Sequence, residues 1–303
     1  MGIHFHQHDQ GHDHEPSDIP RVLTRALIVT AAFMGIELVG GILANSLALV
    51  SDSAHMLMDV GALLLSLFAY WITRRPSTPS MSFGYHRAEI LGAVVSGLLI
   101  WLVSGLLIYE AILRLRNPPE VQGAWVFGVA LVGLAANLLS MGMLHRSSHA
   151  SMNVRAAYLH LLSDALGSVG VVISGAVIWF TGWRPIDPIM TLAMAVLMLA
   201  SSWKLMTEAI GVLMEGAPRG VDPARVQGDL TALPGVIEVH DLHIWTVSTG
   251  RLALSVHLIS AGQEAILAAA NDVLKQKHGI VHTTIQVEHP ERFQSERCYD
   301  CGR

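Results

Sequence analysis

Six stretches of the chain are almost wholly apolar: roughly 23–43, 47–72, 90–113, 124–144, 156–181 and 187–210. A helix across the hydrocarbon core of a bilayer takes about 20 such residues, and each stretch supplies them. The breaks between them carry loop chemistry: "RRPSTPS" at 74–80, "RNPPEVQG" at 116–123, "RSSHASMN" at 146–153 and "GWRPIDP" at 182–188. A soluble helical core is the competing reading, but six apolar runs in succession favour six transmembrane helices. Past residue 211 the pattern changes. "DPARVQGDLTAL" opens with an Asp-Pro helix start, "GVIEVHDLHIWTV" and "RLALSVHLIS" read as strands joined by a Ser-Thr-Gly turn, "QEAILAAANDVLKQKHG" reads as an amphipathic helix ending at Gly279, and "VHTTIQVEH" reads as a last strand. The order αββαβ predicts a small α+β sandwich, open-faced, with helices on one side of a sheet. The chain thus divides into a His-rich N-terminal segment (1–20), a six-helix membrane domain (21–210), an αββαβ domain (211–290) and a tail (291–303).

Polar positions inside the apolar runs then become informative. "SDSAHMLMDV" (51–60) and "LHLLSDALGS" (159–168) both contain His-x-x-x-Asp: His55 with Asp59, and His160 with Asp164. Ionisable groups at mid-bilayer cost several kcal/mol, so they face a bundle interior and mark a pathway. Positions i and i+4 share a helix face, so two such helices packed together offer two imidazoles and two carboxylates, the donor set of a tetrahedral zinc site. A lone His-Asp pair is as readily a self-satisfied hydrogen bond; the duplication argues against that. Asp52 lies near the same face as His55 and reads either as a pathway group or as a cap of its helix. Glu37, Asn45 and Asn137 read either as interhelical glue or as ion contacts. Gly167, Gly170 and Gly175, with Ser168 and Ser174, form a small-residue face that suits close packing or sliding.

Charge and composition set orientation and compartment. Charged residues are 14% of the chain, against roughly 25% in soluble domains. With the N-terminus inside, eight basic residues (Arg21, Arg25, Arg74, Arg75, Arg87, Arg146, Arg155 and Lys204) face the cytoplasm and three (Arg114, Arg116 and Arg184) face out, so both termini are expected in the cytoplasm. The net charge of −5 argues against a nucleic-acid partner. The N-terminus, "MGIHFHQHDQGHDHEP", lacks the basic and apolar regions of a signal peptide. Its His4, His6, His8, His12 and His14, interleaved with acids, suggest a disordered, low-affinity metal scavenger. Cys298 and Cys301 form a C-x-x-C, in a reducing compartment more often a metal site than a disulfide.

"NSLALVSDSAHMLMDVGALLLSLFAYWITRRP", the "FGYHRAEILGA" after it and "HLLSDALGSVGVV" in the fifth span resemble the cation diffusion facilitators, specifically the zinc-transporting branch that includes bacterial cobalt–zinc–cadmium efflux proteins. The resemblance extends over nearly the whole chain. It implies a homodimer in the lipid bilayer, six spans and a cytoplasmic αββαβ domain per protomer, and export of Zn²⁺ in exchange for protons. It implies a transport site of His55, Asp59, His160 and Asp164, with the two histidines giving stricter zinc preference than the Asp some members carry at the first position. It also implies cytoplasmic zinc sites from His240, His257, Glu288 and the Cys298–Cys301 tail, with His282 as a further ligand and the N-terminal histidines of the partner joining in. His243 is expected on the same face as His240, as a ligand or equally as a structural residue. The zinc site some members build in the loop after span two is not matched here, where only His86 is offered, as a relay ligand near the entrance. No long His-rich loop follows span four, only His145 and His149, which read as solvated; this and the compact length suggest a bacterial inner-membrane protein. An intramembrane zinc hydrolase would need a His-Glu-x-x-His helix and an open metal position, and the motif does not occur. A passive divalent-metal channel or a membrane metal sensor remain the alternatives to an antiporter.

Overall fold

The structure, a computed structural model, describes residues 18–145, 152–248, 250–262 and 264–290. Six long helices come first: α1 (Asp18–Leu43), α2 (Leu47–Thr73), α3 (Ala88–Arg116), α4 (Gly123–His145), α5 (Met152–Thr181) and α6 (Ile186–Leu213). They are followed by α7 (Pro223–Thr231), β1 (Val236–Ser248), β2 (Arg251–Ser260), α8 (Glu264–His278) and β3 (His282–Glu288), the αββαβ order expected from the sequence. Among the described residues α2 to α6 each hold a stretch long and apolar enough to cross a membrane, while α1 contributes the shorter apolar run Ala31–Leu43. Two compact units divide the chain: residues 1–60 with 102–198, and 61–101 with 199–303.

In the first unit α1 passes into α2 through a three-residue turn. Asn45 adopts a left-handed conformation (φ 54°), which asparagine tolerates, and the Ser46 amide reaches back to the Gly41 carbonyl at 2.9 Å. This closes the C-terminus of α1 as a Schellman cap. The first amides of α2 are satisfied from far along the chain. Leu47 N–H donates to Asp187 Oδ2 at 2.7 Å, Ser46 Oγ donates to Asp187 Oδ1 at 2.5 Å, and Ser46 Oγ accepts from the Leu49 amide at 3.3 Å. Ser46 and Asp187 therefore cap α2, and the reading of Asp52 as that cap is set aside. Between α4 and α5 the backbones come close at Gly175, where a Cβ would sit 2.5 Å from the Phe127 backbone nitrogen. At Gly170 a Cβ would meet only the flexible end of Met190, and at Gly167 nothing closer than ordinary contact. Gly175 thus serves tight helix packing.

In the second unit the indoles of Trp101 on α3 and Trp203 on α6 stack at 5.5 Å, and Trp101 Nε1–H donates to Ser202 Oγ at 3.1 Å. The αββαβ part folds around one apolar core. Val226 and Leu230 of α7, Ile266, Ala270 and Leu274 of α8, and Val239, Ile244, Leu254, Val256 and Leu258 of β1 and β2 are all buried in it. Each fully buried leucine contributes about 2 kcal/mol. Asp222 caps α7 by accepting from the Ala224 amide, with Pro223 in the first turn. α8 ends in an αL cap at Gly279 (φ 68°), whose amide bonds the Lys275 carbonyl at 3.2 Å. Asp229 receives Lys277 Nζ at 2.8 Å and His278 Nε2 at 2.9 Å. The Lys277 ammonium, with the His278 ring beside it, holds the Asp229 carboxyl below the usual carboxylate range.

The sheet runs β1-β2-β3, with β1 and β2 antiparallel and β2 and β3 parallel. The register pairs His240 with His257 and Ile259 with Glu288. Between His240 and His243 the register slips by one residue, at Asp241, whose φ is 51°. In a regular strand residues three apart point to opposite faces. The inserted residue of this bulge returns His243, opposite Ser255, to the face that carries His240, opposite His257. That face is the one turned away from the helices, since the core residues Val239, Ile244, Leu254, Val256 and Leu258 fall on the other.

Candidate metal centre

The helical period puts His55 and Asp59 one turn apart on α2, and α5 brings Asp164 to them. His55 Nε2 stands 3.7 Å from Asp59 Oδ2 and 3.7 Å from Asp164 Oδ1. The three potential ligand atoms all lie within 4.8 Å of one another. These separations exceed a hydrogen bond. They approach the edge of a tetrahedron about one zinc ion, roughly 3.4 Å for ligands at 2.0–2.1 Å. Asp164 is 4% exposed while His55 and Asp59 are each 29% exposed, so the set is closed on the α5 side and approachable from α2. His160 lies on α5 one turn before Asp164; its side chain is outside the described residues.

Around this cluster the polar groups are cross-braced. Asn137 Nδ2 on α4 donates to Ser168 Oγ on α5 at 3.1 Å, and Ser168 Oγ donates to Asp52 Oδ2 on α2 at 3.1 Å. Asn137 is therefore interhelical glue, and Asp52 is held one turn before His55 by a chain across three helices. Ser168 was legible only as a small residue; its role needs the partner helix. Asn45, the third such polar residue, lies in the α1–α2 turn and bonds the Glu120 carbonyl through Nδ2 at 3.1 Å. Glu37 on α1 is buried, and neither of its carboxylate oxygens has a hydrogen-bond partner among the described residues.

A second cluster lies on the outer face of the sheet, at the cross-strand pair His240–His257. Glu288 bridges the two rings: His240 Nε2 to Oε2 at 3.3 Å, and His257 Nδ1 to Oε1 at 2.9 Å. The imidazoles meet edge to face at 5.1 Å. All three residues are partly buried and their ligand atoms also lie within 4.8 Å of one another. The bulge adds a carboxylate that the strand pattern does not announce. Asp241 Oδ1 lies 2.9 Å from His243 Nε2, and its Oδ2 lies 3.7 Å from His257 Nε2.

His282 does not join this cluster. It sits six residues before Glu288 on β3, opposite Ala253, about 20 Å along an extended strand, and its ring packs edge-on to Phe83 at 5.8 Å. His86 is also engaged elsewhere, its Nε2 lying 2.7 Å from Arg251 Nη1. A guanidinium only donates, so that nitrogen is the acceptor and its lone pair is taken. His4, His6, His8, His12, His14, His149, Cys298 and Cys301 lie outside the described residues, as does the His145 side chain.

A bundle of apolar helices with a His–Asp–Asp cluster, joined to a small αββαβ domain with a His–His–Glu cluster, defines a multipass membrane protein with two candidate ligand sets for a divalent metal. The profile of the cation efflux transmembrane domain matches residues 23–214, and that of the cation efflux protein cytoplasmic domain matches residues 218–290. The chain belongs to the cation efflux family. It is 42% identical to a probable zinc transporter of Dictyostelium discoideum, over 92% of this chain and 61% of that longer relative. It is 41% identical to the metal cation efflux system protein CzcD of Cupriavidus metallidurans, over 92% of this chain and 90% of the relative. It is 40% identical to the zinc transporter ZitB of Escherichia coli, over 94% and 92%.

Proposed function

We propose that the chain exports Zn²⁺ from the cytoplasm in exchange for protons, by alternating access about a tetrahedral site of His55, Asp59, His160 and Asp164. The observation that carries this reading is the convergence of His55, Asp59 and Asp164 on one point inside apolar helices. Two carboxylates and an imidazole suit zinc better than harder ions, which take all-oxygen shells, and His160 would supply the second imidazole. Zinc transporters among the relatives agree.

The same ligands provide the coupling. A metal-bound site needs ionised carboxylates and a neutral imidazole, so loading zinc releases protons and protonation releases zinc. Imidazole changes charge near neutral pH, which suits a site emptied by protons arriving from the far side. The proposed frame has α1 as a sixth span, both termini in the cytoplasm, an inner-membrane location and a homodimer. The His240–His257–Glu288 cluster, with Cys298, Cys301 and the N-terminal histidines, would hold regulatory or structural zinc on the cytoplasmic side.

The test is ⁶⁵Zn²⁺ uptake into proteoliposomes with and without an imposed pH gradient. An antiporter accumulates zinc only with the gradient and moves protons the other way. Uptake indifferent to the gradient would make the protein a channel, and no uptake despite zinc binding would make it a sensor.

A further inference from the structure

The loop between α2 and α3 is itself folded. Thr78 and Met81 exchange backbone bonds at 3.3 and 3.0 Å, and the Gly84 amide bonds the Met81 carbonyl at 2.8 Å. Within the second unit it contacts the strand domain twice, through Arg251 Nη1 on His86 Nε2 and Phe83 on His282. Two cavities flank it. The larger, about 690 Å³, contains Arg87, but Glu215 neutralises that guanidinium at 2.8 Å.

The other, about 560 Å³, has the opposite character. It is lined by Arg75, Arg251, His86 and His282, with Ser77 and Ser82 as hydroxyls, and among the described residues no Asp or Glu lines it. Neither Arg75 nor Arg251 has a carboxylate partner among the described residues. Two uncompensated guanidiniums converging on one hollow are an anion site by charge and by donor geometry. The volume suits a headgroup rather than a bare ion.

The position argues for the source of that anion. The cavity begins at Arg75, two residues past the end of α2, where the apolar sequence gives way to Arg74 and Arg75. There Arg74 lies over the Tyr70 ring at 4.5 Å and Arg75 over the Trp71 ring at 4.3 Å. Tyr70 and Trp71 are both more than half exposed. Exposed aromatics paired with arginines are the signature of a helix end at headgroup depth, where anionic lipids attract basic groups. Exposed Phe83 and Val281 border the same hollow, giving acyl or glycerol carbon an apolar rim.

We propose that this cavity binds the phosphodiester headgroup of an anionic phospholipid, with Arg75 and Arg251 as the two phosphate-binding groups. The full chain in detergent micelles is titrated with phosphatidylglycerol or phosphatidylcholine, and lipid retained per chain is counted by native mass spectrometry. Wild type should retain phosphatidylglycerol on the order of tenfold better, a preference that shrinks as salt rises from about 0.1 M to about 0.5 M. Arg75→Gln with Arg251→Gln should bring the two lipids to parity. Arg75→Lys with Arg251→Lys should keep most of the preference, and Arg87→Gln, in the neutralised cavity, should leave it unchanged. Parity in wild type, or a preference that survives the double Gln variant or rising salt, overturns the assignment. Displacement of the lipid by millimolar inorganic phosphate overturns the lipid source in favour of a soluble anion.

Discussion

The chemistry rests on a few side chains whose positions follow from helical period. His55 lies 3.7 Å from a carboxylate on its own helix and from one on α5, so removing either side opens the set. Asp164→Ala or His55→Ala is predicted to lower zinc-driven proton flux in proteoliposomes at least tenfold; flux at the wild-type rate in either would remove that residue from the site. His55→Asp keeps a ligand but makes it harder. It should preserve transport while raising the competitiveness of Mn²⁺ against ⁶⁵Zn²⁺, and an unchanged selectivity would deny His55 its discriminating role. The paired His-x-x-x-Asp was readable because i and i+4 share a face in any helix. Ser168 and Asp241 were not: one acts through the helix it happens to face, the other through a bulge that strand alternation does not encode. His282 shows the limit of residue type alone, since it sits at the opposite end of β3 from Glu288.

Helices and strands carry their own predictions. Asp187 reaches across 140 residues to the first amide of α2. Asp187→Ala should cost about 1–2 kcal/mol, read as lowered thermal stability in micelles. Gly175→Val must push α4 from α5 and should cost about 1–3 kcal/mol, whereas Gly170→Ala displaces only a methionine end and should be mild; equal stability of the two would contradict the packing role. In the strand domain Asp229 is depressed by Lys277, so its contribution to stability is complete above the unfolded carboxyl value near 4. It is lost as pH falls below that through the lower folded value. Asp229→Asn should therefore flatten the acid limb of the domain's unfolding curve, followed through a fluorine label on Trp245. The caps at Asp222 and Gly279 were legible because their signals are local. The cap of α2 was not, because its acceptor belongs to another helix.

At the scale of the whole molecule, two candidate ligand clusters occupy chemically different places: one inside apolar helices, one on the outer face of a sheet. His240→Ala with His257→Ala should remove about one bound zinc per chain and leave uptake at saturating zinc intact; loss of all transport would make the sheet cluster part of the pathway. Removing residues 1–15 should weaken uptake only at low zinc. Five of the six apolar runs, and the αββαβ order after them, were legible from pattern alone; in the remaining one, α1, the apolar run among the described residues is the shorter Ala31–Leu43. The loop after α2 was read for missing ligands and for His86 as a relay, and its contact with the strand domain emerges from the fold.

The central claim is that zinc binds among His55, Asp59 and Asp164, with His160 completing the shell. X-ray absorption on the zinc-loaded protein tests it most directly, with residues 1–15 removed and His240, His257, Cys298 and Cys301 replaced to clear the cytoplasmic sites. The account predicts four nitrogen and oxygen ligands at about 2.0–2.1 Å, two of them imidazole, and loss of that shell in Asp164→Ala. A shell unchanged by Asp164→Ala, or one of six oxygens, would contradict it.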